Sequence, residues 1–112
     1  MKRETVKTGW VEGMHFVTEI EKHILKVDAE DAFGGAGKGA RPKPMMLAAL
    51  GGCTAMDVVS LLNKMRVPFE GLSIEVSADL TDEHPKVYKN VMVKYLIKGE
   101  NIDHEKMEKA VQ

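Results

Sequence analysis

The stretch from Met45 to Met65, MMLAALGGCTAMDVVSLLNKM, constrains the fold more than any other part of the chain. On a 3.6-residue wheel its apolar residues fall on nearly every side. Met46, Ala49, Leu50, Cys53 and Met56 share one face, and Leu47, Ala55, Val58, Val59 and Leu62 occupy the rest. A helix that is apolar all round belongs in an interior rather than on a surface. Gly51, Gly52, Thr54, Asp57 and Ser60 interrupt the run, and an ionisable residue in mid-helix is costly in lipid. The reading is therefore a central helix buried in a soluble protein, with no membrane partner, and the shorter, strand-like segments wrap it.

The 112 residues make room for a single domain, 1–112. A formal charge of -1 and a pI near 6.4 predict no attraction to nucleic acid or to an anionic membrane, which need a clustered positive field. The opening MKRETVKTGW has basic residues but no apolar segment of the kind a secretory signal carries. One cysteine excludes an intrachain disulfide and fits a reducing compartment, so the expected location is the cytoplasm. A chain this short buries only a modest fraction of its own surface. Some of the apolar central helix is therefore expected to be covered by a second copy of the chain, in a homodimer with the two central helices close together.

Around the helix the pattern is α+β. ETVKTGWV, MHFVTEIE and HILKVDA, separated by turns at Glu12-Gly13 and Glu21-Lys22, predict an N-terminal three-stranded meander. EDAFGGAGKGAR, residues 30–41, is a glycine-rich loop, and Pro42 and Pro44 mark the start of the helix. Pro68 predicts its end near Arg66. From Gly71 the period changes to two: Leu72, Ile74, Val76, Ala78 and Leu80 face one way and Ser73, Glu75, Ser77 and Asp79 the other. After the turn TDEHPK, a second strand is expected to line one face with Val87, Val91, Val93, Tyr95 and Ile97, completing a β-hairpin. Asp103 is placed as the N-cap of a C-terminal helix beginning at His104, with Ile102 and Met107 set for a hydrophobic staple.

Few residues point to chemistry. GGAGKGAR fails as a phosphate-binding loop at both ends, with Ala32 where the first glycine is needed and Gly39 where a Ser or Thr would hold a metal, so a flexible connector is expected. His15, His23, His84 and His104 have no metal-ligand spacing, no metal is expected, and solvated or strand-end positions suit all four. Cys53 is the residue of interest. Helix periodicity favours it as a small buried hydrophobe. A reactive thiolate would instead need a positive charge from elsewhere in the fold, because the helix dipole acts only within the first turn. Arg41 is the nearest arginine in sequence, and Arg3 and Arg66 are the only others. Gly51-Gly52 costs about 1 kcal/mol per glycine in a helix interior, which suggests close approach by another element such as a partner helix. Asp57, one turn after Cys53, reads as a buried-face carboxylate bonded to an amide or an arginine.

PKPMMLAALGGCTAMDVVSLLNKMRV, then a strand, DEHP, a second strand and DHEKMEKAVQ, resembles the OsmC/Ohr family, in its OsmC-like branch, from about Trp10 onward. The resemblance implies an intertwined α/β homodimer in which strands of both subunits wrap two central helices. It implies that the Cys53 thiolate attacks the O–O bond of a small organic hydroperoxide, in defence against oxidative stress, giving a sulfenic acid. A second cysteine and a thiol reductant, dihydrolipoyl in the better-defined branch, restore it, with no bound cofactor. The family's arginine lowers the thiolate pKa and a glutamate holds that arginine. The sequence departs from this pattern in three places. The family's second cysteine would lie past Gln112, Lys43 and Pro44 stand where the glutamate is expected, and no arginine occurs between Trp10 and Phe16. Arg41 is the substitute expected as the activating cation. The alternative is a non-catalytic OsmC-like dimer acting as a binding scaffold for a small molecule.

Overall fold

Tight turns and short alternating segments make the N-terminal region a meander, as expected. In the computed structural model, which describes residues 1–82, 86–100 and 102–111, β1 (Lys7–Glu12), β2 (His15–Ile20) and β3 (His23–Val27) form one antiparallel sheet in sequence order. Glu21 and Lys22 join β2 to β3 with φ of 48° and 77°. Two left-handed residues in a row are the signature of the hairpin turn whose twist matches that of its strands.

The glycine-rich loop is not the flexible connector expected from its composition. It folds around Asp28, the residue after β3, whose carboxylate accepts the amides of Ala29 at 2.8 Å, Ala36 at 3.1 Å and Lys38 at 3.1 Å. A 3₁₀ turn over Asp31–Phe33 ends at Gly34, and Gly34 and Gly37 hold φ of 90° and 70°. Gly35 lies against the backbone of Ala29 and Gly39 against that of Lys26, where a Cβ would overlap carbonyl oxygen. The amides that might have cradled a phosphate are taken by the chain's own carboxylate.

The central helix, α1 (Pro42–Lys64), begins on Pro42, whose missing N–H lies where no helical partner exists. It ends in a Schellman turn. The Val67 amide donates to the Leu62 carbonyl at 2.9 Å and the Arg66 amide to that of Asn63 at 3.2 Å, around Arg66 in the left-handed region at φ 57°.

β4 (Gly71–Leu80) and β5 (Tyr88–Lys98) form an antiparallel hairpin. The expected turn TDEHPK falls partly on Glu83, His84 and Pro85, which lie outside the described residues. Leu72, Ile74, Val76 and Ala78 are half-buried with exposed residues between them, which is the predicted alternation. On β5 the expected face is only partly right. Val93, Tyr95 and Ile97 turn inward, but Val87 and Val91 are exposed, as is Leu80, and Tyr88 takes the inward place. The reason is a bulge: pairing steps from Ser77↔Met92 to Asp79↔Lys89, leaving an extra residue on β5 where Asn90 has φ 54°. One added residue inverts the alternation on that side.

α2 (His104–Val111) starts as predicted, with the Asp103 carboxylate accepting the Lys106 amide at 3.2 Å. The Lys106 ammonium donates to the Met65 carbonyl at 3.2 Å, satisfying a group the end of α1 leaves free.

The chain divides into two compact units, Met1–Met46 and Leu47–Gln112. Every buried hydrophobic residue among those described belongs to the second: Val58, Leu62, Val67, Met107 and Ala110, with Leu72, Tyr95 and Ile97 packed against them. Burying Val58 and Leu62 contributes about 1.5–3 kcal/mol each. In the first unit the buried residues are polar: His15, Thr18 and Asp28.

Candidate functional site

The expected burial of the central helix on all sides is not what one chain provides. Only Val58 and Leu62 of α1 are buried, because the hairpin and α2 cover one side. Met46, Leu50 and Met56 stay 64%, 40% and 75% exposed. By length and hydropathy α1 would also suffice to cross a bilayer, but it carries Asp57 at its middle.

Cys53 lies on this open side. Its neighbours one turn away in either direction are Ala49 and Leu50, then Met56 and Asp57, and all of them are exposed. The thiol is free and exposed, in place of the buried small hydrophobe that periodicity favoured. Position on the wheel could not tell these apart, since every side of the helix looks apolar. Gly51 and Gly52, just before it, separate in role. A side chain at 51 would meet Val76 of β4, with Cβ 3.3 Å from Cγ2, so the hairpin itself supplies the close approach, whereas nothing lies within 4 Å of position 52.

Arg41 is exposed and belongs to the first unit, while Cys53 belongs to the second. The arginine is the last residue before α1, and its carbonyl accepts the Met45 amide at 3.4 Å. Arg3 is exposed near the N-terminus, and Arg66 is committed to the helix end. Asp57 is exposed and not the buried carboxylate expected, because its side of α1 carries Thr54, Ser60 and Lys64 and opens to solvent.

The histidine expectation fails at one position. His15 is buried at the start of β2, and its Nδ1 donates to the Val27 carbonyl at 3.0 Å. A carbonyl can only accept, so the proton sits on Nδ1 and Nε2 keeps the lone pair in the neutral ring. His23 and His104 are exposed as expected, and His84 is outside the described residues. Among the described residues no three His, Cys, Asp or Glu side chains converge as a metal site.

A cleft of about 480 Å³ opens along α1 between Thr54, Asp57, Lys64 and Tyr95, with Val58 and Ala110 at its floor, and Cys53 does not line it. Its signal was present in the sequence. Thr54, Asp57, Leu61 and Lys64 recur at three- and four-residue intervals, a part-polar stripe that the wheel alone shows to be one side of the helix.

The family described as OsmC-like protein matches residues 35–112, which takes in the second half of the glycine loop, α1 with Cys53, the hairpin and α2. Protein YhfA of Escherichia coli strain K12 is 30% identical over 107 residues, spanning 94% of this chain and 76% of that protein. Among solved structures, a hypothetical protein from Aquifex aeolicus VF5 superposes with a TM-score of 0.84 at 22% identity, over 99% of this chain and 77% of the other. An organic hydroperoxide resistance protein OsmC from Legionella pneumophila gives a TM-score of 0.68 at 19% identity, over 99% of this chain and 80% of that one. These two structures speak to the fold, which in chain order is a meander, a long helix, a hairpin and a short helix. With the family matched across more than half its length and that architecture in place, the chain belongs to the OsmC-like protein family.

Proposed function

We propose that the chain is a cysteine-dependent organic hydroperoxide reductase, acting in the cytoplasm as a homodimer with Cys53 as the nucleophile. The observation that carries this reading is the place of Cys53, a free thiol on the family-matched helix, on the side of α1 that its own chain leaves open. The name of the Legionella protein, organic hydroperoxide resistance protein, suggests the substrate class. The thiolate sulfur attacks the distal peroxide oxygen, the O–O bond breaks, and the departing alkoxide takes a proton to leave as the alcohol. The sulfur, oxidised by two electrons, is then a sulfenic acid. Residues 1–112 hold no second cysteine. With residues 1–112 alone, an external thiol condenses with the sulfenic acid, releasing water, and a second thiol group reduces the mixed disulfide. A dithiol of the dihydrolipoyl type supplies both.

Thiolate formation needs a cation. Arg41 of a second copy is the residue proposed for it, because α1 sets Arg41 and Cys53 of one chain about 18 Å apart. The homodimer rests on apolar surface left open in one chain: Met46, Leu50 and Met56 on α1, and Trp10 and Ile24 in a unit whose buried residues are polar. Such surface calls for a partner. The test is consumption of cumene hydroperoxide with dithiothreitol by the wild-type chain and Cys53→Ser. Loss of turnover in the variant supports the reading, and equal rates would falsify it.

The cleft beside Asp57 favours a second reading, in which the dimer is a non-catalytic scaffold for a small molecule. Its size falls within the range of small-molecule sites, about 300–1,000 Å³. Equal peroxidase rates in the same assay would leave this one standing.

A further inference from the structure

A cavity of about 220 Å³ lies wholly within the first unit, Met1–Met46, and the reading of Cys53 makes no use of it. Its polar lining is Glu12, His15, Asp28 and Lys38. His15 is buried, and its Nδ1 donates to the Val27 carbonyl at 3.0 Å. The other ring nitrogen, Nε2, has no hydrogen-bond partner among the described residues. No buried polar side-chain atom among them is left without one, so Nε2 is not sealed in the interior. It opens on the cavity that His15 lines, as a bare acceptor.

The walls are fixed from both sides. Trp10 Nε1 donates to the Gly13 carbonyl at 2.8 Å, and Glu12 pairs with His15 across the β1–β2 turn. Opposite them, the glycine loop is tied to Asp28 through the amides of Ala36 and Lys38. A Cβ at Gly34 would stand 3.4 Å from Met14 Cγ, so the Met14 side chain lies against the loop and closes one side with carbon. The site is formed in advance of a guest, which spares the cost of ordering it on binding.

The charges select the guest. Glu12 and Asp28 bring two negative charges and Lys38 one positive, so the lining repels anions and draws cations. Three amides fill three of the roughly four acceptor sites of the Asp28 carboxylate, which leaves one. The Lys38 amide above all keeps the Asp28 pKa low against the effect of burial, with help from Ala36, Ala29 and the nearby His15. An ammonium group has three donors and no acceptor, and here it meets an imidazole lone pair and two carboxylates. The space is smaller than drug-sized sites of about 300–1,000 Å³, so the guest is short.

We propose that this cavity binds a short primary amine in its ammonium form. His15 Nε2 and the carboxylates of Glu12 and Asp28 accept its protons, and Met14 and Ala36 flank its carbon chain. The proposal is independent of the role given to Cys53.

The experiment titrates n-butylammonium chloride into the full chain labelled with ¹⁵N, at constant pH and ionic strength, and follows the imidazole nitrogens by NMR. 1-Butanol and sodium butyrate match the shape of the probe without its positive charge. The expected result is a saturable shift of His15 Nε2 with a midpoint in roughly the millimolar range. No saturable shift is expected from either control, or at the exposed His23 and His104. Glu12→Gln and Lys38→Met change exposed rim residues. The first is expected to weaken binding by about two- to fivefold and the second to tighten it by a similar factor. Absence of saturation at His15, equal binding of 1-butanol, or a midpoint that neither variant moves would each overturn the proposal.

Discussion

Gly51 of α1 faces Val76 of β4 so closely that a Cβ at position 51 would lie 3.3 Å from Val76 Cγ2. A methyl group at position 51 would press on the Val76 side chain, and anything larger would push α1 away from the hairpin. Gly51→Val would drive two more carbons into that contact, and a loss of about 1–3 kcal/mol is expected by chemical denaturation. An unchanged midpoint would mean that α1 does not pack on β4 as described.

Gly52 has open space around it in the single chain, so its glycine is not explained by the hairpin. Alanine there would add about 1 kcal/mol of helix propensity to a lone chain. If a second copy approaches this side of α1, the same methyl group obstructs it. Gly52→Ala is expected to weaken the dimer at least about tenfold, or 1.4 kcal/mol, in sedimentation equilibrium. Unchanged or tighter association would remove this side of the helix from the interface.

Arg66 occupies the left-handed position of the Schellman turn, where most side chains cost about 1 kcal/mol and glycine costs little. Arg66→Gly is expected to raise stability by about 0.5–1 kcal/mol, after the added freedom of glycine in the unfolded chain is counted. Urea denaturation at fixed protein concentration measures it. A lower midpoint would show that the Arg66 side chain has a role beyond this turn.

The pKa of Asp28 lies below its ordinary value in the folded chain, held there first by the Lys38 amide. A carboxyl whose pKa falls on folding contributes stability that is complete above its unfolded pKa, about 3.9, and that is lost as the pH drops through the folded value. Wild type is therefore expected to lose stability below about pH 4, and Asp28→Asn to lose less over the same interval. Parallel acid curves for the two proteins would contradict the loop arrangement.

Signals confined to a few neighbouring residues were legible in the sequence. Pro42 marks the helix start because proline lacks the donor that a first turn cannot use, and Asp103 marks α2 because its carboxylate reaches the Lys106 amide. Two turns are enough to fix the meander. Val87 and Val91 were misplaced because a bulge at Asn90 reverses the alternation and leaves no trace in hydrophobic period. Asp28 carries no such signal, since its partners Ala36 and Lys38 donate through the backbone, and an amide has no side-chain identity to recognise.

The candidate site was half legible for a related reason. Cys53 stood out as the only thiol, but a helix with apolar residues on every side does not say which side its own chain will cover. The hairpin decides that, and it takes the side of Val58 and Leu62. Asp57 was assigned to the interior on the same wheel, although Thr54 and Lys64 share its stripe and mark a wetter side. Arg41 could be named from its place before Pro42, while the fixing of the loop that leads to it depends on pairing between Val27, Asp28 and Ala40.

The most direct test of Cys53 as the reacting thiol is to treat the reduced chain with one equivalent of cumene hydroperoxide in the presence of dimedone and to locate the adduct by mass spectrometry. A single dimedone adduct on Cys53, formed together with the corresponding alcohol, is the predicted result. Loss of hydroperoxide with Cys53 unmodified, or no loss at all, would contradict it.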